Sequence, residues 1–207
     1  MNIRKLILAV TLILFMISLY ACNADNTAQE TNKNENIIAS DKLIITFDYE
    51  KQSGHASNQF AVWIEDMDGK YIKTLYATKY TAKGGYKNRP DSIPEWVEKS
   101  GLASMQKSEL DVIAGATPKA GTLSYTWDLS DISGDYRFFV EGSLRWKNRV
   151  LYSGVVTIGD SPAEIKEIQA DAEFFYEESD NQPALSGDSP ENNMILAVNA
   201  KFIPAEQ

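Results

Sequence analysis

An aspartate and a threonine, Asp111 and Thr117, bracket a run of small residues in the segment DVIAGAT. Thr117 offers a hydroxyl group, which can act as a nucleophile toward phosphorus when a base activates it. Gly115 and Ala116 precede the threonine, and their small size leaves its backbone open to the active site of a second protein. The pattern is open to three interpretations: an acceptor site for a covalent modification, a tight turn before a strand that Thr117 only caps, or a segment with another recognition role.

Other residues that could bind a metal or take part in catalysis form weaker patterns. His55 is the one histidine and Cys22 the one cysteine in the chain, so neither a zinc site nor a Ser-His-Asp triad is supported. Glu65, Asp66 and Asp68 carry oxygen ligands suited to Ca²⁺, but a solvated hairpin turn is the more usual meaning of such a cluster. We therefore expect no catalytic residues, no metal site and no enzymatic activity of the chain itself.

The first residues predict export and lipid attachment. Arg4 and Lys5 precede an apolar run over 6–18, and the run ends in Leu19-Tyr20-Ala21-Cys22. A small residue before a lone cysteine resembles the lipobox of bacterial lipoproteins, which implies a signal peptide over 1–21 and a diacylglycerol anchor on Cys22. The alternative is an ordinary secretory signal in which Cys22 is incidental. Dual acylation would hold the protein on the extracytoplasmic face of a bacterial membrane.

Composition and charge indicate the character of the chain after the predicted signal peptide. Residues 22–39 are mostly polar and asparagine-rich, which predicts a disordered tether. Without Arg4 and Lys5 the chain keeps 18 basic against 29 acidic residues, so its formal charge changes from −9 to −11. A strongly acidic chain is a poor partner for nucleic acid.

Residues 40–207 predict one antiparallel β-sandwich, because short apolar or alternating runs with β-branched and aromatic residues recur between turn signals. Met67-Asp68-Gly69 predicts a hairpin turn. The segment 164–177 predicts a strand or, at its start, a helix, because its apolar residues do not alternate cleanly. The strands are expected in the runs 43–50, 59–66, 70–78, 122–129, 135–144, 149–159, 164–177 and 193–204.

Two stretches carry a family resemblance: VWIEDMDGKYIKTLY from Val62, and AGTLSYTWDLSDISGDYRFFVEG from Ala120. Their order resembles the immunoglobulin-like (Ig-like) domain of the flagellar hook-capping protein. The whole span 43–159 resembles more closely a family of predicted periplasmic proteins, domain of unknown function 2271. The resemblance implies an all-β, Ig-like antiparallel sandwich outside the cytoplasm and implies no activity.

A long insertion separates two of these strands, over about residues 79–120. Its segment SIPEWVEKSGL predicts a short helix, with Ser92 as its cap, Pro94 in the first turn and Gly101 at its end. Long loops inside compact domains are usually functional or disordered, and this one holds the aromatic residues Tyr80, Tyr86 and Trp96. We therefore expect a partly helical insertion that carries the Asp111–Thr117 segment.

The spacing of Asp111, Gly115, Ala116 and Thr117 resembles the flavinylation motif of extracytoplasmic flavin mononucleotide (FMN)-binding proteins, although Ala114 stands where that motif has Ser or Thr. The resemblance implies that a Mg-dependent flavin transferase attaches FMN to Thr117, with Asp111 read by the transferase. Tyr80, Tyr86 and Trp96 then either pack the insertion or stack on a flavin.

Two functions follow as expectations. The first is a membrane-tethered electron carrier whose partners are a flavin transferase, a membrane redox protein and, through Cys22, the lipid bilayer. The second is a non-catalytic Ig-like module for protein interaction or assembly on the cell envelope.

Overall fold

The computed structural model describes residues 40–54, 56–130, 132–144, 148–177, 184–186 and 194–205. The predicted signal peptide, Cys22, the tether over 22–39 and His55 lie outside these residues. Residues 39–207 form one compact unit. Within the part of the chain that is described, no helix is both long and apolar enough to cross a membrane.

Strands make up most of the described chain, as the alternating sequence predicts. They are β1 (Asp41–Tyr49), β2 (Gln59–Asp66), β3 (Tyr71–Thr78), β4 (Ala114–Gly115), β5 (Gly121–Leu129), β6 (Gly134–Leu144), β7 (Asn148–Ile158), β8 (Ala163–Ile168), β9 (Ala170–Glu177), β10 (Ala184–Ser186) and β11 (Ile195–Ile203).

The strands form two sheets. The smaller has the order β5-β1-β11-β8, and the larger has the order β10-β9-β7-β6-β2-β3-β4. Neighbouring strands run antiparallel, except that the two-residue β4 lies parallel to β3. The predicted antiparallel sandwich is confirmed.

The main core lies between the two sheets. Trp127, Phe138 and Val140 are buried in it, as their alternation in the sequence predicts. Phe47 of β1 meets Phe60 of β2 edge to face, with ring centroids 5.6 Å apart. Burial of such aromatic side chains removes large apolar areas from water and is the main source of stability in a domain without a disulfide.

The insertion between β3 and β5 covers the outer face of the larger sheet. It contains three short helices, α1 (Lys79–Ala82), α2 (Pro94–Lys99) and α3 (Lys107–Ile113), and 3₁₀ turns over Gly85–Lys87 and Leu102–Ser104. A second core forms there, made by Ala61, Trp63 and Ala77 of the sheet with Ala82, Ile93, Trp96 and Leu102 of the insertion. Because β2 is covered on both faces, all its residues from Gln59 to Glu65 are buried.

One local prediction is wrong, and one open alternative is decided. The residue before α2 is Ile93, with φ 45°, and its own side chain makes no capping hydrogen bond. Ser92 is instead buried, and its hydroxyl shares a 2.6 Å hydrogen bond with the hydroxyl of Thr81. The segment 164–177 does not begin as a helix, because its first part pairs with β11 as strand β8. Pro94 in the first turn and Gly101 with φ 61° agree with the prediction.

Candidate functional site

The aspartate of the DVIAGAT segment lies on a solvent-exposed helical turn. Helix α3 starts with a capping box, in which the backbone N–H of Gln106 donates to Glu109 Oε2 at 2.7 Å. Asp111 and Val112 lie in its last turn, and the side chain of Val112 is 85% exposed. An apolar side chain this exposed has no role in the core, so this turn is open to a second protein.

Asp111 forms an ion pair with Lys83, at 2.5 Å between Oδ1 and Nζ. The hydrogen bond and the charge of Lys83 hold the pKa of Asp111 below its usual value of 3.8, with smaller contributions from Lys107 and Lys79. Both side chains of the pair are about half exposed. Asp111 therefore presents a permanently charged carboxylate at the surface near neutral pH.

Gly115 is required by its neighbour Tyr76. Any Cβ at position 115 would overlap the ring of Tyr76, whose hydroxyl oxygen would lie 2.9 Å away. The same hydroxyl donates a 2.6 Å hydrogen bond to the carbonyl of Ala116. Partial burial raises the pKa of Tyr76 to about 12, so this donor keeps its proton at physiological pH. Tyr76 thus fixes the backbone immediately before Thr117.

Thr117 lies in the segment that passes from one sheet to the other. Residues 116–120 leave β4, at the edge of the larger sheet, and enter β5, at the edge of the smaller one. Ala116, Lys119 and Ala120 are exposed and Thr117 is half-buried. Its hydroxyl donates to the carbonyl of Asn58 across 3.4 Å, the long limit of a hydrogen bond. This partner is distant in sequence, so the bond does not cap a turn within the loop.

The structure brings Asp111 and Thr117 into the same insertion but gives them separate partners. Asp111 pairs with Lys83, whereas Thr117 faces the start of β2. The two side chains therefore do not pair as a nucleophile and its base.

Sequence analysis missed the aromatic side chains next to the threonine loop. Tyr76 stacks on Phe60 with ring centroids 5.0 Å apart, and it meets Tyr125 at 4.9 Å. Burial, and secondarily the neighbouring tyrosines, raise the pKa of Tyr125. The inward alternation of Leu123, Tyr125 and Trp127 indicates that Tyr125 faces the core. No sequence signal places it beside Tyr76, because the contact joins β3 of the larger sheet to β5 of the smaller one.

A cavity of about 310 Å³ lies in the insertion, between α1, α3 and the two 3₁₀ turns. Tyr86 lines it, whereas Trp96 is fully buried in the second core and Tyr80 is 43% exposed. The three aromatic residues considered together in the sequence are thus separated. Apolar and cationic side chains line the wall of the cavity, among them Lys83, Lys87, Leu102, Met105, Lys107 and Leu110.

The acidic hairpin has a structural explanation. Glu65 is buried, accepts a 2.8 Å hydrogen bond from the indole of Trp63, and lies 3.5 Å from Lys99. Asp66 accepts the backbone N–H groups of Asp68 and Lys70 at 3.0 and 2.8 Å. Among the described residues, no group of His, Cys, Asp and Glu side chains is arranged to hold a metal ion.

Glu141 of β6 is a buried carboxylate that sequence analysis missed. It accepts the backbone N–H groups of Trp96 at 2.9 Å and Glu95 at 3.3 Å, and it lies 3.6 Å from Arg149. Desolvation nevertheless raises its pKa to about 8, against the opposing effects of these donors and of Arg149. Its contacts join α2 to the sheet, so we assign it a structural role.

Comparison with known proteins gives one match. A family model described as "Predicted periplasmic protein (DUF2271)" matches residues 42–176, more than half of the chain and most of the sandwich. No curated protein and no solved structure matches. The family description indicates an extracytoplasmic location, in agreement with the sequence prediction. The chain belongs to the DUF2271 family of predicted periplasmic proteins.

Proposed function

We propose that this protein is a non-catalytic, extracytoplasmic electron carrier that bears FMN on Thr117. A lipid on Cys22 tethers it to the membrane, a flavin transferase loads it, and a membrane redox protein exchanges electrons with it. The observation that carries the proposal is the setting of Thr117. Its loop is held from one side by Tyr76, it is flanked by exposed residues, and one long hydrogen bond engages its hydroxyl.

The attachment step balances with flavin adenine dinucleotide (FAD) as the donor. The Thr117 oxygen forms a bond to the phosphorus on the FMN side of the pyrophosphate, the P–O–P bond breaks, and adenosine monophosphate leaves. A base of the transferase takes the hydroxyl proton. The protein has only to deliver an accessible hydroxyl on a narrow backbone, and Gly115 and Ala116 provide that narrowness.

The access required by the transferase also sets a condition on the loop. Thr117 is half-buried, so its hydroxyl must leave the carbonyl of Asn58 before it can react. A neutral hydrogen bond contributes only about 0.5–1.5 kcal/mol, and less at this length, so thermal motion can break it. Loop residues 116–119 have no regular secondary structure that would have to unfold.

Co-expression with an extracytoplasmic flavin transferase tests the proposal. We expect wild type to become yellow and fluorescent in a denaturing gel, Thr117→Ala to stay colourless while folded, and Thr117→Ser to keep part of the signal. Circular dichroism and the denaturation midpoint verify that each variant is folded. A fluorescent Thr117→Ala protein would place the flavin elsewhere.

The role of Asp111 can be separated from its ion pair. If the transferase reads the carboxylate, Asp111→Ala should lower the rate of flavin attachment several-fold. Lys83→Ala breaks the same ion pair but keeps the carboxylate, so it should leave that rate nearly unchanged. Initial rates of modification with purified transferase and FAD are the measurement. Equal losses in both variants would show that the ion pair, and not recognition of Asp111, matters.

A second function is favoured by the packing of Gly115. Tyr76 requires a glycine there for structural reasons alone, so the small residue needs no transferase to explain it. The resulting alternative is an Ig-like module for protein interaction or assembly on the cell envelope, with the exposed turn at Asp111 and Val112 as a contact surface. The Thr117 experiment separates the two functions, because the module requires no flavin.

A further inference from the structure

The cavity in the insertion shares its wall with the segment that leads to the Thr117 loop, because Asp111 lines it and stands six residues before Thr117. Thr117 donates to the carbonyl of Asn58, and the next residue, Gln59, accepts hydrogen bonds from the hydroxyls of Thr78, just before α1, and Thr81, within it. The last residue of α1 and the residue after it, Ala82 and Lys83, line the cavity. Residues 111–117 span at most about 20 Å even when fully extended, so a group attached to Thr117 by a flexible arm can approach the cavity.

The cavity has a charge opposite to that of the protein as a whole. Lys83, Lys87 and Lys107 line it against the single acid Asp111, whereas the chain has a formal charge of −9. Its apolar wall includes Tyr86, with Leu102, Met105 and Leu110. Concave sites that combine apolar walls with a few charged groups are typical of small-molecule binding, and charge complementarity favours a ligand that is or becomes anionic.

The size of the cavity limits its ligand. At about 310 Å³ it lies at the lower end of the range of ligand pockets, roughly 300–1,000 Å³. It is suited to one fused ring system and is too small for a whole dinucleotide. A flavin ring is planar and apolar on its faces, and its pyrimidine edge becomes negative when the ring takes up two electrons and one proton.

We propose that this cavity receives the ring of the flavin carried by Thr117, with the wall of Tyr86, Met105 and Leu110 against the ring and the lysines facing its anionic edge. The inference rests on the proposed attachment of FMN. It assigns the cavity two effects: it shields the ring from water, and its positive charge stabilises the reduced flavin whose electrons come from the membrane redox partner. Charge near the ring is a known means by which proteins tune flavins.

Riboflavin tests whether the cavity binds a flavin ring (the ring site) independently of the attachment of FMN to Thr117. It has the ring but no phosphate, so it cannot be joined to Thr117. The full chain, produced without a transferase, should bind riboflavin saturably and quench its fluorescence. Ala103 is exposed on the cavity wall, so Ala103→Trp should fill the space without disturbing the core and weaken binding by roughly tenfold or more. Ala120→Trp adds the same ring at an exposed position outside the cavity and should bind as wild type does.

The outcomes separate this inference from the proposed function. No saturable riboflavin binding up to about 0.1 mM, or binding that Ala103→Trp leaves unchanged, overturns the ring site even if Thr117 carries FMN. Binding that Ala103→Trp removes supports the ring site even if the transferase leaves Thr117 unmodified.

The reduction potential of the flavin-loaded protein gives a second readout. Lys107→Gln should make the potential more negative than in wild type, because it removes a positive charge from the cavity wall. Lys119→Gln is the matched control, since Lys119 is exposed and closer in sequence to Thr117 but does not line the cavity. A potential that moves equally in both variants would show that only the overall charge matters and would overturn the assignment of the lysines.

Discussion

At the scale of single residues, Gly115 and Tyr76 form a unit that holds the backbone before Thr117. The ring of Tyr76 occupies the space of the missing side chain, and its hydroxyl binds the carbonyl of Ala116 at 2.6 Å. The small residue therefore serves the fold even if it also serves a transferase. Both roles require the same thing of position 115, a backbone without a side chain.

The Gly115→Ala variant should lower the free energy of unfolding by about 1–3 kcal/mol, because the added methyl group displaces the ring of Tyr76. The matched change at an exposed site, Ala116→Ser, should alter it by less than about 0.5 kcal/mol. In urea denaturation, Gly115→Ala combined with Tyr76→Leu should cost less than the sum of the two single changes. Strict additivity would contradict the steric account.

At the scale of elements, the insertion is joined to the sandwich by polar contacts as well as by its apolar core. Trp96 of α2 is fully buried, and its indole N–H donates to the hydroxyl of Thr74 on β3 at 2.8 Å. Glu141 on β6 accepts the first free N–H groups of α2. These contacts keep the face that carries the cavity and the Thr117 loop in a fixed position on the sheet.

Glu141 makes this junction sensitive to pH. Its pKa is raised from 4.5 to about 8 in the folded protein, so it binds a proton more tightly when folded than when unfolded. Its contribution to stability is therefore complete below about pH 4.5 and is lost as the pH rises toward 8.

Glu141→Gln should remove this dependence, because an amide keeps an acceptor for the N–H of Trp96 and does not ionise. Urea denaturation at pH 5 and pH 8 is the measurement, and the loss of stability between them should be smaller in Glu141→Gln than in wild type. Glu98→Gln, at an exposed site on α2, is the control and should behave as wild type does. The same pH dependence in all three proteins would show that Glu141 does not titrate in this range.

Most of the long strands can be predicted from the sequence, whereas features that depend on distant contacts cannot. Strands β1, β2, β3, β5, β6 and β7 follow from alternation and turn residues, because those signals are local. Three features cannot be predicted in this way, because each depends on a partner elsewhere in the chain. The two-residue β4 forms by pairing with β3, and the segment 164–177 divides at Gln169 because its first part pairs with β11. Ser92 takes its position from its hydrogen bond with Thr81. In the candidate site, Asp111, Gly115, Ala116 and Thr117 form a local motif. Asn58, Tyr76, Lys83 and the cavity come together only in the folded chain.

At the scale of the whole molecule, the design is a rigid sandwich that carries one specialised face. The two sheets supply the core, and the insertion over the outer face of the larger sheet holds the Thr117 loop, the exposed turn of Asp111 and the cationic cavity. An extracytoplasmic address fits this design, because the proposed transferase and redox partner act on that side of the membrane. The central claim is that Thr117 carries FMN.

Peptide mass mapping of the protein co-expressed with a flavin transferase tests that claim most directly. Trypsin should release residues 108–119, SELDVIAGATPK, in which Ser108 and Thr117 are the only hydroxyl residues. The account predicts that this peptide gains the mass of one FMN phosphodiester and that fragmentation places it on Thr117. An unmodified peptide 108–119, recovered while a known acceptor protein in the same cells is flavinylated, would contradict the account.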